Sequence, residues 1–274
     1  MTEVPQITFS DGHRIPQLGF GTWQLRDDVA LHAVESALAV GYRHIDTAAV
    51  YRNETQVGRA LAASGLARDE VFLTSKIWTT DMAAPRRALE TSLTKLGVER
   101  LDLYLIHWPS VIAHGDAFIG CWDALQELQA EGLVSSIGVS NFHEHHLARL
   151  RGATPVLDQI ELHPTFIQQP LRAHLAERDI VVAAWSPLGR AHDLTEGTVL
   201  RVAEQSGRTP AQIVIRWHLQ QGRVVIPRSS NPDRIAENFQ VVDFELSDEQ
   251  VALLDALDSP AGRTSGLDPD TVEF

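Results

Sequence analysis

The 274-residue chain carries 23 basic and 36 acidic residues, a formal charge of −13 with 44% hydrophobic residues; this disfavours double-stranded nucleic acid and anionic membranes as partners and excludes disorder as the main state. A single cysteine, Cys121, leaves no disulfide framework to build, and no apolar run approaches the roughly 20 residues of a membrane span. The start Met-Thr-Glu-Val-Pro-Gln has neither a basic nor an apolar leader region, so a soluble, cytoplasmic monomer with one domain over 1–274 is expected.

In chain order, Ile7-Thr8-Phe9, Asp11-Gly12 and Arg14-Ile15 predict an N-terminal β-hairpin, since Asp-Gly suits a tight turn with positive φ. It reads as a lid on something larger. Strand-like runs follow at 18–21, 44–46, 71–76, 101–107, 136–139, 159–162, 181–185 and 224–226. Between them, Leu31/Val34/Leu38, Leu89/Leu93/Leu96 and Trp122/Leu125/Leu128 have the three-and-four spacing of helices with one buried face. Gly41, Gly65, Gly97 and Gly132 fall where left-handed helix ends favour glycine. The strands are mostly apolar without clean alternation, as when helices cover both faces. Eight such units in this length predict a (β/α)8 TIM barrel, with an open doubly wound sheet as the alternative. Segments 210–221 and 248–257 exceed the alternation, so one or both are expected to be extra helices near the C-terminus.

A barrel of this kind does its chemistry at the carboxyl ends of its strands. Those ends carry Trp23, Asp46, Lys76, His107, Ser140-Asn141, Gln159, Trp185-Ser186 and Arg228-Ser229. Asp46, Lys76 and His107 end three successive strands, which are neighbours in a parallel barrel, so their side chains can converge. Of the 23 basic residues only Lys76 and Lys95 are lysine. An ammonium is a compact charge that guanidinium does not replace. Tyr51 sits in the loop past Asp46, above the same face. A lysine beside it is expected to lower its pKa, with Asp46 holding the ammonium charged, while His107 donates to a carbonyl oxygen that Tyr51 protonates. Such a group polarises a ketone or aldehyde and lacks only a reductant.

Gly19-Phe-Gly21-Thr-Trp-Gln24 breaks Gly-x-Gly-x-x-Gly at its last glycine, and no P-loop motif occurs. Instead Ile226-Pro-Arg228-Ser229-Ser-Asn231-Pro-Asp-Arg234 follows the last strand and opens a helix, where backbone N–H groups and two arginines can meet an anion.

The segments Gly41-Tyr-Arg-His-Ile-Asp-Thr-Ala48, Leu105-Ile-His-Trp-Pro109, Ile137-Gly-Val-Ser-Asn141, Gln159-Ile-Glu-Leu-His-Pro164, Trp185-Ser-Pro-Leu-Gly189 and Ile226-Pro-Arg-Ser229, with Tyr51 and Lys76, together resemble the aldo-keto reductases, and among them the bacterial 2,5-diketo-gluconate reductase branch. The resemblance implies a catalytic tetrad of Asp46, Tyr51, Lys76 and His107, and NADPH as cofactor. It implies that Ser140, Asn141 and Gln159 hold the nicotinamide carboxamide and that the ring stacks on Trp185, beside Ser186. Leu188 and Gly189 would approach the pyrophosphate, Arg228, Ser229 and Arg234 the 2′-phosphate, and Glu237 and Asn238 the adenine. The chain departs from the family in having tryptophan where tyrosine is frequent at the stacking position, arginine for the usual lysine at 228, and asparagine at 231 where relatives can carry arginine.

Three other readings compete. A metal hydrolase would use Asp46, His107, His163 and the run His143-Glu-His-His146; that run fails His-Glu-x-x-His because position 147 is leucine, and an exposed helix face is expected instead, with no metal. A Schiff-base aldolase would use Lys76 as nucleophile. A nucleotide sensor would bind the cofactor without turnover. Trp23, Trp78 and Trp108 follow the first, third and fourth strands and are expected, with His107, to ring the substrate mouth. The stretches 110–116 and 259–274 are too short for a long enclosing sleeve, so an open, shallow site for small carbonyls is expected.

Overall fold

The computed structural model describes residues 4–274. The hairpin is present as β1 (Gln6–Thr8) and β2 (Arg14–Pro16), with Ile7 paired to Ile15. Phe9 meets Phe72 edge to face, and Asp11 Oδ2 accepts from Ser136 Oγ at 2.7 Å. The hairpin therefore covers the amino-terminal ends of the strands. It is a plug under the floor, opposite the strand ends that carry chemistry.

Eight parallel strands follow: β3 (Phe20–Gly21), β4 (His44–Asp46), β5 (Phe72–Ile77), β6 (Leu101–Ile106), β7 (Val134–Ser140), β8 (Leu157–Glu161), β9 (Val181–Trp185) and β10 (Val224–Val225), paired in chain order. The sheet closes because Val225 N donates to Gln17 O at 2.8 Å and Gly19 N to Val225 O at 2.9 Å. The TIM barrel expected from the sequence is thus the fold observed, and each strand lies within two residues of its predicted bounds. Glycine at 19 is a packing requirement, since a Cβ there would fall 2.5 Å from His44 Nδ1.

The outer layer is formed by α1 (Asp27–Val40), α2 (Glu54–Ala63), α3 (Pro85–Leu96), α4 (Val111–His114), α5 (Ala117–Ala130), α6 (Glu144–Leu147), α7 (Gln169–Ala176), α8 (Gly197–Ser206), α9 (Pro210–Gln220), α10 (Pro232–Phe239) and α11 (Asp248–Asp255). The three predicted apolar stripes on α1, α3 and α5 are buried, each leucine contributing about 1.5–3 kcal/mol by leaving water. Gly97 ends α3 at φ +68°. The expectation for the extra helices needs sorting: α9 packs on β10 and belongs to the barrel layer, whereas α8 and α11 pack on each other outside it. Of the two expected segments, only 248–257 is an addition, and the second addition is α8. Among the described residues no helix is long and apolar enough to cross a membrane.

Candidate active site

The parallel register places Asp46, Lys76 and His107 on adjoining strand ends, with Thr74 opposite Asp46 and Leu105 opposite Lys76. Lys76 is wholly buried; its Nζ donates to Asp46 Oδ1 at 2.5 Å and to Thr47 O at 2.9 Å. Asp46 Oδ2 accepts from Gln159 Nε2 at 2.8 Å, so both carboxylate oxygens are satisfied away from water. Burial pulls the Lys76 pKa down and the Asp46 carboxylate opposes it.

Tyr51 lies on a short 3-10 turn, Ala49–Tyr51. The buried Asn53 fixes that turn by donating to Thr22 O and Leu25 O, both at 2.8 Å, and accepting from Thr47 Oγ1. The Tyr51 hydroxyl is 3.5 Å from His107 Nε2, and Lys76 Nζ lies 5.2 Å from the centre of the Tyr51 ring. Burial, and then the Asp46 charge, raise the Tyr51 pKa well above the usual 10. The expectation that the Tyr51 pKa is lowered is therefore not met: burial and the Asp46 charge outweigh the attraction of the Lys76 ammonium, which is hydrogen-bonded to Asp46 and Thr47 and lies 5.2 Å from the ring centre. Burial, helped by Lys76, drives the His107 pKa well below 6.5. A neutral phenol and a neutral imidazole thus share one edge of the cleft.

That cleft has a volume of about 1050 Å³ and runs from Trp23, Trp78 and Trp108 past Tyr51 and His107 to Arg228 and Arg234. Asn141 is held in the left-handed region at φ +64°. Its Nδ2 donates to His107 O at 3.0 Å and its Oδ1 accepts from Trp185 Nε1 at 2.8 Å, which ties the indole to the catalytic strand end. Ser140 Oγ donates to the Gln159 carbonyl at 2.7 Å. Ser140, Gln159, Ser186, Leu188, Ser229, Glu237 and Asn238 all line the cleft. Gly189 stands behind the wall: at φ +55°, a Cβ on it would fall 2.2 Å from Asp193 Oδ1. Arg228 reaches Gln24 Oε1 at 3.0 Å, and neither Arg228 nor Arg234 has a carboxylate partner among the described residues. Asn238 Oδ1 is buried without a hydrogen-bond partner.

The mouth has a wall that the sequence reading missed. Phe274 packs on Trp78 and Trp108 at ring distances of 5.0 and 5.3 Å, and Leu267 joins it in lining the cleft. The tail is held there by Glu161, which accepts from Thr264 N and Ser265 N at 2.8 and 2.9 Å. Although burial opposes ionisation, bonds from His163, Ser265 and Thr264 bring the Glu161 pKa down to about 2. Short as it is, the tail closes one side of the mouth.

The competing chemistries fare poorly. Lys76 does not line the cleft, so it is a poor nucleophile for a Schiff base. His163 is fixed between Asp193 Oδ2 at 3.1 Å and Glu161 Oε1 at 3.5 Å, and does not join Asp46 and His107. The run 143–146 is not an exposed helix face: His146 is buried, and His143, His145 and His146 all turn towards Asp270.

Residues 17–259 match the Aldo/keto reductase family. The chain is 48% identical to the methylglyoxal reductase DkgA of Escherichia coli and 47% identical to an aldo-keto reductase of Mycolicibacterium smegmatis, in each case over 98% of both chains. Among solved structures it superposes with a TM-score of 0.95 and 42% identity, over the whole of both chains, on a Gox0644 variant in complex with NADPH.

Proposed function

The chain belongs to the Aldo/keto reductase family, and from that premise we propose that it reduces small activated carbonyls to alcohols, with Tyr51 as proton donor. It is an NADPH-dependent oxidoreductase. The residues present fit that cofactor: two arginines without carboxylate partners stand where a phosphate would need charge-assisted bonds, and the orphaned Asn238 Oδ1 supplies an acceptor for an adenine amino group. When bound, NADPH supplies the hydride.

The observation that carries the reading is a buried Lys76–Asp46 pair set behind a Tyr51–His107 pair on the cleft wall. A carbonyl oxygen between the Tyr51 hydroxyl and His107 Nε2 receives two hydrogen bonds. As negative charge grows on that oxygen, it becomes far more basic than a phenolate, so the proton moves from Tyr51 even though the phenol's pKa is raised. The buried Lys76 ammonium stabilises the phenolate left behind, an effect strengthened in a dry site. His107, held neutral by its surroundings, orients the carbonyl and does not compete as the acid. Gln159 holds the second Asp46 oxygen, and Asn141 fixes the Trp185 face on which the nicotinamide would stack.

The substrate reading rests on the walls. Trp23, Trp78, Trp108 and Phe274 suit flat or apolar groups, and Trp23 is 39% exposed, leaving that side open. A mouth walled by the tail but open on the Trp23 side leaves part of a ligand's surface exposed, which favours carbonyls electron-poor enough to accept hydride without much binding energy. We therefore assign α-dicarbonyls and aromatic aldehydes as the substrate class, in keeping with the name of the E. coli relative. The test is the loss of NADPH absorbance across a carbonyl panel. Higher kcat/KM is expected for methylglyoxal and phenylglyoxal than for unactivated sugars or steroid ketones; a steroid ketone reduced more efficiently than every dicarbonyl would overturn the assignment.

A further inference from the structure

A second polar cluster lies outside the reductase machinery. Just past β7, three histidines turn their rings onto one carboxylate from the tail. His143 Nδ1 is 3.0 Å from Asp270 Oδ2, while His145 Nε2 and His146 Nε2 are 2.9 and 3.3 Å from Asp270 Oδ1. The four candidate ligand atoms lie within 4.8 Å of one another. Metal–ligand bonds of about 2.0–2.1 Å in a tetrahedron set ligand atoms about 3.4 Å apart, so these atoms need little rearrangement to surround an ion.

Hydrogen bonding sorts the histidines into two roles. His146 Nδ1 accepts from the His143 backbone N–H at 3.1 Å, which places the proton of the neutral ring on Nε2. That Nε2 faces Asp270 Oδ1 and is not a free lone pair. His146 is 1% exposed, and both its Nε2 and Asp270 Oδ1 are buried with no partner that meets hydrogen-bond geometry. The ring flanks the carboxylate at 3.3 Å without a formed hydrogen bond, and a small turn of Asp270 onto an ion would let Nε2–H donate to it. The other nitrogens of His143 and His145 bond to no protein group among the described residues, so either ring can carry its proton there; His143 Nδ1, which without an ion holds the proton it donates to Asp270, then offers a lone pair, as does Nε2 of His145. Only the His143 contact is a well-formed hydrogen bond to Asp270. Hydrogen bonding alone therefore leaves the convergence of the other two rings unexplained.

We propose that His143, His145 and Asp270 bind a divalent cation of the zinc class, with His146 holding the Asp270 carboxylate and water completing the coordination. Two imidazoles and a carboxylate suit zinc, cobalt or nickel, whereas magnesium and calcium select all-oxygen sites. Occupancy ties two distant segments together. Asp270 sits in a turn in which Thr271 N and Val272 N donate to Asp268 O at 3.1 and 2.8 Å, and four residues further on Phe274 packs against Trp78 and Trp108. The ion thus clips to α6 the tail that walls the substrate mouth. This is a tail anchor and takes no part in proton or hydride transfer, so it stands whatever the substrate proves to be.

The test uses the untagged full-length protein, stripped of metal and titrated with zinc chloride by calorimetry, with zinc content measured after equilibrium dialysis. One equivalent is expected to bind. His145 is 60% exposed, so His145→Ala leaves the fold intact; that variant and Asp270→Asn are each expected to bind zinc at least about tenfold more weakly, while His32→Ala, an exposed histidine on α1, matches the wild type. Zinc is also expected to slow amide exchange at Thr271 and Val272 in the wild type and not in His145→Ala. Zinc affinity equal in wild type, His145→Ala and Asp270→Asn would overturn the proposal, as would magnesium chloride binding as tightly as zinc.

Discussion

Replacing Lys76 by methionine, which keeps the side chain's length and removes its charge, separates what the buried ion pair does for the fold from what it does for the reaction. The ammonium makes two hydrogen bonds, at 2.5 Å to Asp46 and 2.9 Å to Thr47, and is inaccessible to solvent. Its loss strands the Asp46 carboxylate, 3% exposed, with Gln159 as its remaining side-chain donor. Breaking a buried pair on one side costs about 3–5 kcal/mol, a large share of the roughly 5–15 kcal/mol that holds a typical domain folded. Pairing Asp46→Asn with Lys76→Met removes the stranded charge and keeps a hydrogen-bond acceptor for Gln159, so it is expected to recover at least about 2 kcal/mol relative to the single variant. Activity is expected to stay lost in both, because the phenolate of Tyr51 then has no cation behind it. Urea denaturation reads the stability and NADPH consumption reads the rate. A single variant within about 1 kcal/mol of wild type, or a double variant with wild-type turnover, would refute this reasoning.

Lys76→Arg keeps the charge and is still expected to be crippled, since guanidinium does not fit a site closed by contacts this short; turnover near wild type would count against the assignment. Arg234→Ala is expected to cut the preference for NADPH over NADH about tenfold or more, as one charge-assisted bond is worth roughly 1.5–3 kcal/mol; the ratio of the two dissociation constants checks it, and an unchanged ratio would remove Arg234 from the phosphate site. Burial and Lys76 lower the His107 pKa, so the ring is neutral above a value well under 6.5 and charges only below it. The pH profile of kcat/KM should therefore lack an acid limb near 6.5, and a limb there that vanishes in His107→Gln would contradict the neutral assignment.

The barrel was legible because its signals are local. Strand runs such as Leu-Asp-Leu-Tyr-Leu-Ile and helix stripes such as Leu89/Leu93/Leu96 declare themselves within a few residues, and a parallel register then brings successive strand ends together without further information. That is why Asp46, Lys76 and His107 could be grouped from spacing alone. What the sequence hid depends on contacts between distant segments. Phe274 meets Trp78 and Trp108 through a tail without regular secondary structure, pinned by Glu161 more than 100 residues earlier in the chain. Asp270 meets His143 across 127 positions, and nothing near His143-Glu-His-His146 announces it. The direction of the Tyr51 pKa is hidden for a related reason: a lysine at the right strand end brings it below 10 only if its attraction outweighs burial and the neighbouring carboxylate, and here those two win. The close approach of Gly189 to Asp193 is likewise a contact that the sequence does not announce.

The central claim is that Tyr51 delivers the proton, and Tyr51→Phe tests it most directly. Among the described residues the hydroxyl's hydrogen-bond partner is His107 alone, at 3.5 Å, so its removal is expected to leave folding and NADPH affinity, read by tryptophan quenching, nearly unchanged. Losing a general acid typically costs about 10²–10⁴-fold in rate. Single-turnover reduction of methylglyoxal by the NADPH-loaded variant is expected to slow by that factor; a rate within a few-fold of wild type, at unchanged cofactor affinity, would contradict the account.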